Sequence, residues 1–334
     1  MQGTMTRDIG LDNFKFILIA VVVIGHSIEP ILARFEWLKV IYTFIYLFHM
    51  PMFAYASGVV STKVLDNRAI SSIVRKLIIP YISLEIIYSV FDFYLFSRST
   101  LNISPLVPYW ILWYLFSLVL WRLLLPFFNQ FKFPVVLALI AGLACGINTL
   151  DYNLSFSRTF VFLPFFLIGH YHHSTIVKIL DNYKFRSHVG AAFISCLFVA
   201  LWFISEIVNI NFGWLYGSRS YSSLNTSWEL GVLYRSSMYA LAFILGLALL
   251  ALTPRVSNAF TRYGKDSLYI YVLHGFVMKG LIALGFYNFI NEDYKAVIFI
   301  FSSLILLPIL SSGIAIWFGK QLMNPLRISP KKAR

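Results

Sequence analysis

Leu11-Asp12-Asn13-Phe14-Lys15 opens an apolar run that closes on Ile24-Gly25-His26-Ser27. As a helix the run is long enough to cross about 30 Å of hydrocarbon. It still carries Asp12 and Lys15 at one end and His26 deep inside. Measured from Phe14, His26 lies on the order of 18 Å along the helix, which predicts a depth near mid-membrane. An imidazole in hydrocarbon is costly unless it faces a protein interior or a water-filled cavity. Either neighbours satisfy this histidine or a reaction uses it.

The whole chain shares the character of that run. It is 59% hydrophobic and 12% charged, with a mean hydropathy of +0.76. Soluble domains are about 45–50% apolar and about 25% charged, so the composition marks an integral membrane protein. The net charge of +13 is read as basic flanks of membrane spans, not as a nucleic-acid surface. Cys145 and Cys196 both sit in apolar runs and read as small core residues. There is no Walker loop, dinucleotide fingerprint or Cys/His metal spacing. No metal is expected, although His170, His172 and His173 form a local histidine cluster. The first run continues as a full span, so no cleavable signal peptide is expected.

Span-length apolar runs recur roughly at 13–33, 38–60, 77–97, 109–128, 133–150, 158–173, 187–208, 230–252, 267–289 and 295–319. They predict an all-α polytopic bundle of about ten transmembrane helices. The sixth, with Pro164 and Gly169, is expected to be short and broken or tilted. Basic residues concentrate on one set of connections, including Lys63, Arg68, Arg75, Lys76, Arg262, Lys265 and the Arg327–Arg334 tail. That bias predicts cytoplasmic N and C termini. The whole chain, 1–334, reads as one integral-membrane domain.

Several polar groups do not belong in lipid. His49, on the second predicted helix, falls at a depth similar to His26, so the two could share one cavity. Glu29 stands at i+3 from His26, on a neighbouring face. Glu85 either orients a histidine or pairs with a basic residue. Asp12 lies about three to four turns from His26, too far to bond it. Asp12 is expected to pair with basic residues at the cytoplasmic mouth, which leaves His49 or Glu85 to orient His26. Arg75 and Lys76, just before Ile79-Pro80-Tyr81, could hold a phosphorylated ligand or serve topology alone. The large outer segment 209–229 is rich in Trp, Tyr, Ser and Asn, which suits either sugar rings or an interfacial anchor.

Taken in order, these residues resemble the acyltransferase-3 membrane family, in its fucose-4-O-acetylase-like branch. Asp12-x-x-Lys15 followed by His26 is similar to its first-helix signature. Phe48-His49-Met50-Pro51-Met52-Phe53 resembles the second-helix motif, and Arg75-Lys76-Leu77-Ile78-Ile79-Pro80-Tyr81 the entry to the third. Trp110-Ile111-Leu112-Trp113, Trp121-Arg122 and Ser267-Leu268-Tyr269-Ile270-Tyr271-Val272-Leu273-His274 follow the same order. The chain departs from the pattern at Lys15 and Ser72, where many members carry arginine or a second basic residue.

The resemblance implies a multi-pass enzyme of the bacterial cytoplasmic (inner) membrane. Such an enzyme moves an acyl group, usually acetyl, from cytoplasmic acyl-CoA to a hydroxyl of a cell-surface polysaccharide or its lipid-linked precursor. Acetyl-CoA is then the donor, and the partners are membrane lipid and a glycan acceptor. The candidate catalytic residues are His26, His49 and Glu85. Asp12, Lys15, Arg75 and Lys76 are candidates at the donor, and Trp113, Arg122 and Arg235 at the acceptor. His26 acts either as the base or as the acyl carrier. The alternative is a proton-coupled transporter or flippase, in which the same buried groups relay protons.

Overall fold

The computed structural model describes residues 7–62, 64–147, 156–207 and 211–325. Lys63, the Arg327–Arg334 tail, the end of the predicted fifth span and the first residues of the outer segment lie outside the described residues. The described residues form helices and connections, with no strand among them. Among the described residues, seven helices are long and apolar enough to cross a membrane.

Helix α1 (Ile9–Ile28) is capped by Asp8, whose carboxylate accepts the Leu11 N–H at 2.9 Å. It runs into a 3₁₀ turn at Glu29–Ile31, where Pro30 stands at the turn's start. Helix α2 (Glu36–Val59) carries Pro51 without interruption. The next predicted span is built in three parts: α3 (Asn67–Ile73), a π-helical turn (Val74–Ile78) and α4 (Ile79–Leu95). The cause is Pro80, which has no N–H to give to a carbonyl four residues back. The preceding turn widens instead, and Ile79 N–H bonds to Val74 O, five residues back. Arg75 and Lys76 stand on that turn.

Helices α5 (Trp113–Phe128), α6 (Pro134–Ala144), α7 (Phe156–Asp181) and α8 (Arg186–Ile207) follow. A short α9 (Gly213–Tyr216) leads to α10 (Trp228–Leu252), α11 (Thr261–Lys265) and α12 (Ser267–Ala283). The chain closes with α13 (Asp293–Ser303), α14 (Leu306–Leu310) and α15 (Gly313–Met323). Three of the ten predicted spans, at 77–97, 133–150 and 267–289, form helices that fall short of the seven long apolar ones: α4, α6 and α12.

The predicted break in the sixth span does not occur. Helix α7 is continuous for 26 residues despite Pro164. Gly169 serves packing instead of breakage. A Cβ there would stand 2.0 Å from Tyr55 O, and one at Gly58 would stand 1.9 Å from Phe166 O. Helices α2 and α7 therefore touch backbone to backbone at two glycines, the small-residue contact that membrane helices use in place of a hydrophobic drive.

Helix α2 is central, packed by α1, α7, α8 and α10. Around it Phe14, Phe48, Tyr55, Tyr88, Trp121 and Phe166 are fully enclosed. The enclosed polar tips find carbonyls: Trp121 Nε1 donates to Thr159 O at 2.7 Å and Tyr88 to Val272 O at 2.6 Å. The outermost helix, α8, exposes Val189 at 67% and Phe203 at 64%. Apolar surface turned outward on this scale is what lipid solvates.

Candidate active site

His26 stands in the last turn of α1, nearer that helix's end than the mid-span depth its spacing from Phe14 predicts. The residues that reach it come from the first half and middle of α2, the turn before α5, the start of α7, and α9. Together they enclose a cavity of about 180 Å³ lined by His26, Glu29, Tyr46, His49, Trp110, Trp113, Arg158 and Tyr216, among others. The two histidines expected to share a cavity do so.

Glu29 Oε2 lies 3.1 Å from His26 Nδ1. An ionised carboxylate only accepts, so Nδ1 carries the proton and Nε2 keeps its lone pair. The Tyr46 hydroxyl lies 3.4 Å from the same Nδ1. Trp110 meets the imidazole edge-on at 5.1 Å between ring centroids, and His274 lies 5.3 Å away on the same measure. His49 Nδ1 donates to Ile45 O at 2.8 Å, which leaves its Nε2 as an acceptor. The Arg158 guanidinium lies 5.0 Å over the Trp113 ring and brings a cation to the cavity wall.

The arrangement is a base, the carboxylate that fixes its tautomer, and a nearby cation, walled by aromatic rings. Base plus orienting group is the pattern that activates a hydroxyl for group transfer.

Glu85 stands elsewhere. It is buried and accepts the Tyr109 N–H at 2.9 Å, and it lines a second cavity beside the first. The carboxylate on His26 is Glu29, carried into place by the 3₁₀ turn at the end of α1. Trp113 lines the His26 cavity, but Arg122 is nine residues further along α5, about 13 Å away. The buried Arg122 Nε makes no hydrogen bond. Arg235 is 3% exposed and donates to Gly142 O at 3.4 Å and Arg219 O at 3.1 Å. It also lies 4.7 Å over the Tyr221 ring, in a crevice that adjoins the His26 cavity at Tyr46, Phe162 and Leu215. The 209–229 segment divides in the same way: Tyr216 reaches the His26 cavity, while Tyr221 is buried against Gly146 and Gly231.

The donor candidates gather at the opposite end. Asp12 pairs with Arg7 and, at 2.8 Å, with Lys15. Arg75 is half-buried and hydrogen-bonds Ser71 one turn back; Lys76 is exposed. The histidine cluster on α7 has separate partners. His170 Nδ1 lies 3.3 Å from Gly58 O, and His173 bridges the Tyr55 hydroxyl at 2.8 Å and Asp8 at 3.3 Å.

The sequence marks Glu29 only as a neighbour at i+3 and does not single out Arg158 or Tyr46 for the site. The one available signal was Pro30, which has no N–H to continue the α-helical bonding and so marks the end of α1 beside Glu29.

Fold and site define a multi-pass membrane protein with a carboxylate-oriented histidine at one end of its bundle. The chain belongs to the acyltransferase-3 family: residues 8–317 match the family described as an acyltransferase domain. It is 28% identical over 183 residues to nodulation protein NolL of Mesorhizobium japonicum, covering 50% of this chain and 48% of that protein. It is 30% identical over 213 residues to nodulation protein NolL of Sinorhizobium fredii, covering 59% of this chain and 57% of that one. The chain thus spans about half the length of the curated relatives it matches. No solved structure matches it. Family membership favours acyl transfer over the transporter alternative.

Proposed function

We propose that the protein is a membrane O-acyltransferase. It moves an acyl group, acetyl in the simplest case, from cytoplasmic acyl-CoA to a hydroxyl of a cell-surface polysaccharide or its lipid-linked precursor. In this reading α4, α6 and α12 join the seven long spans to give ten crossings. Both termini are cytoplasmic, and the protein resides in the bacterial cytoplasmic membrane. The observation that carries the reading is the Glu29–His26 pair in an aromatic cavity, in a chain of an acyltransferase family.

The basic end of α1 fits the donor's phosphates. Arg75 and Lys76 offer cations that no carboxylate takes up among the described residues. Lys15, already on Asp12, contributes by exchanging that partner. The donor supplies an activated thioester carbonyl. His26 lies eleven residues beyond Lys15, about 16 Å along α1, so an extended pantetheine arm lies along this helix.

At the other end His26 Nε2 removes the proton of the attacking hydroxyl and returns it to the departing thiolate. Glu29 holds the imidazole and balances the imidazolium that forms in between. Arg158 faces the negative charge that develops on the carbonyl oxygen. Trp110, Trp113 and Tyr216 offer flat faces to the acceptor.

The test uses membrane vesicles, acetyl-CoA labelled in its acetyl group and a glycan extract of the source cells. Label should pass to the glycan fraction, and His26→Ala should lower the rate by about 10²–10⁴-fold. No transfer by the unaltered protein, or full transfer by His26→Ala, contradicts the proposal.

A further inference from the structure

The second cavity at the His26 end takes no part in the chemistry above. Its volume of about 390 Å³ lies within the range of small-molecule sites. It is formed between α4 and the 96–109 segment and is lined by groups that match a hydroxylated ring. Ser89, Thr100, Asn102 and Ser104 supply hydroxyl and amide groups, and Tyr109 and Phe93 supply aromatic faces. The Ser89 Oγ is buried and has no hydrogen-bond partner. A buried hydroxyl without a partner beside a carboxylate is a pair that a ligand hydroxyl would complete.

The cations around the cavity are already paired. Asp92 is held by Arg98 at 3.0 Å, by Lys279 at 3.3 Å and by the Tyr109 hydroxyl at 2.6 Å. Glu85 takes the Tyr109 N–H through one oxygen. Arg98 at the cavity and Lys279 beside it are therefore both engaged by Asp92, which leaves neither to hold a carboxylate. This wall suits a neutral ring and disfavours an anionic one.

Covalent neighbours join this cavity to the first. Val107 lines both, Tyr109 lines the second, and Trp110 lines the first. Trp110 holds φ at +34°, a conformation that bulky residues avoid unless their surroundings impose it. The Glu85–Tyr109 hydrogen bond anchors the residue immediately before Trp110.

We propose that the second cavity is an acceptor subsite for one ring of a neutral polyhydroxylated sugar. The adjoining ring of the same acceptor presents its hydroxyl to His26 past Val107. This inference rests on the acyl-transfer reading and adds which cavity holds the acceptor and what charge it tolerates.

The purified protein in detergent micelles is photolabelled with a neutral diazirine-bearing methyl hexoside and, separately, with the corresponding uronic acid. Peptide mass spectrometry should place the neutral label within 85–109, with the uronic acid about tenfold weaker. Asn102→Trp, an exposed loop substitution that fills the cavity, should lower the neutral label about tenfold. Thr100→Trp should do the same and guards against a folding defect of the first variant. Neutral label confined to other segments, label unchanged by both substitutions, or equal labelling by the uronic acid overturns the inference. Release of CoA from acetyl-CoA by the same preparation separates the two readings. CoA release without label in 85–109 overturns the subsite. Label there without CoA release leaves the subsite and overturns acyl transfer.

Discussion

Glu29 and His26 make the most specific contact at the scale of single residues. One carboxylate sets the tautomer, and with it the nitrogen left free to act as base. Glu29→Gln keeps the size and removes the charge that balances an imidazolium. Its turnover should fall on the order of 10²-fold with acceptor KM little changed. Glu85→Gln should act mainly on acceptor KM, because its carboxylate lies in the neighbouring cavity. Steady-state kinetics of both variants checks this, and a turnover defect confined to Glu85→Gln would reverse the assignment. His26 and its company with His49 were legible in the sequence because intramembrane polar groups stand out against an apolar background. The partner carboxylate was not legible. Glu29 and Glu85 differ only in how the backbone delivers them, and the 3₁₀ turn at Glu29–Ile31 makes that choice. Arg158 was hidden for a related reason: an arginine at a span end looks the same whether it marks topology or a cavity.

The informative contacts between elements are those that the apolar pattern cannot express. Among the described residues, seven of the predicted runs form helices long and apolar enough to cross a membrane, and three form shorter helices. Pro164 suggested a broken or tilted span, and α7 runs through it without a break. The joint between α2 and α7 depends on two hydrogen atoms. Gly169→Ala should destabilise the protein by about 1–3 kcal/mol, as overpacking does. Gly280→Ala, where a new Cβ meets nothing within 4 Å, should be close to neutral. Thermal unfolding in detergent micelles compares them, and equal midpoints would contradict the tight joint.

Asp8 ties the start of α1 to α7. It caps the helix and receives a hydrogen bond from His173, which holds its carboxyl below the usual aspartate value. A carboxyl with a depressed pKa contributes stability above its unfolded value of about 3.9 and loses it as pH falls through the folded value. Asp8→Ala should therefore lower the unfolding midpoint at pH 7 through loss of cap and charge. The gap to the unaltered protein should narrow below about pH 4. A gap that fails to narrow below about pH 4 would rule out the charged contact.

Over the whole molecule, the two ends of the bundle are chemically distinct. One gathers Arg7, Lys15, Arg75, Arg255 and Arg262; the other gathers the cavities around His26 and Glu85. The proposed orientation puts the basic end in the cytoplasm. In a Cys145→Ser, Cys196→Ser background, an impermeant thiol reagent added to intact cells should label Ser223→Cys and spare Ser257→Cys. The reverse pattern would invert the topology and place the donor on the wrong side. The most direct test of the central claim is the acyl content of surface glycan, measured by mass spectrometry. Cells lacking the gene are compared after return of the unaltered gene and of His26→Ala. The unaltered gene should restore a mass increment of one acyl group per modified sugar, and His26→Ala, present in the membrane at equal level, should restore none. Equal acylation in both, or no increment with either, would contradict it.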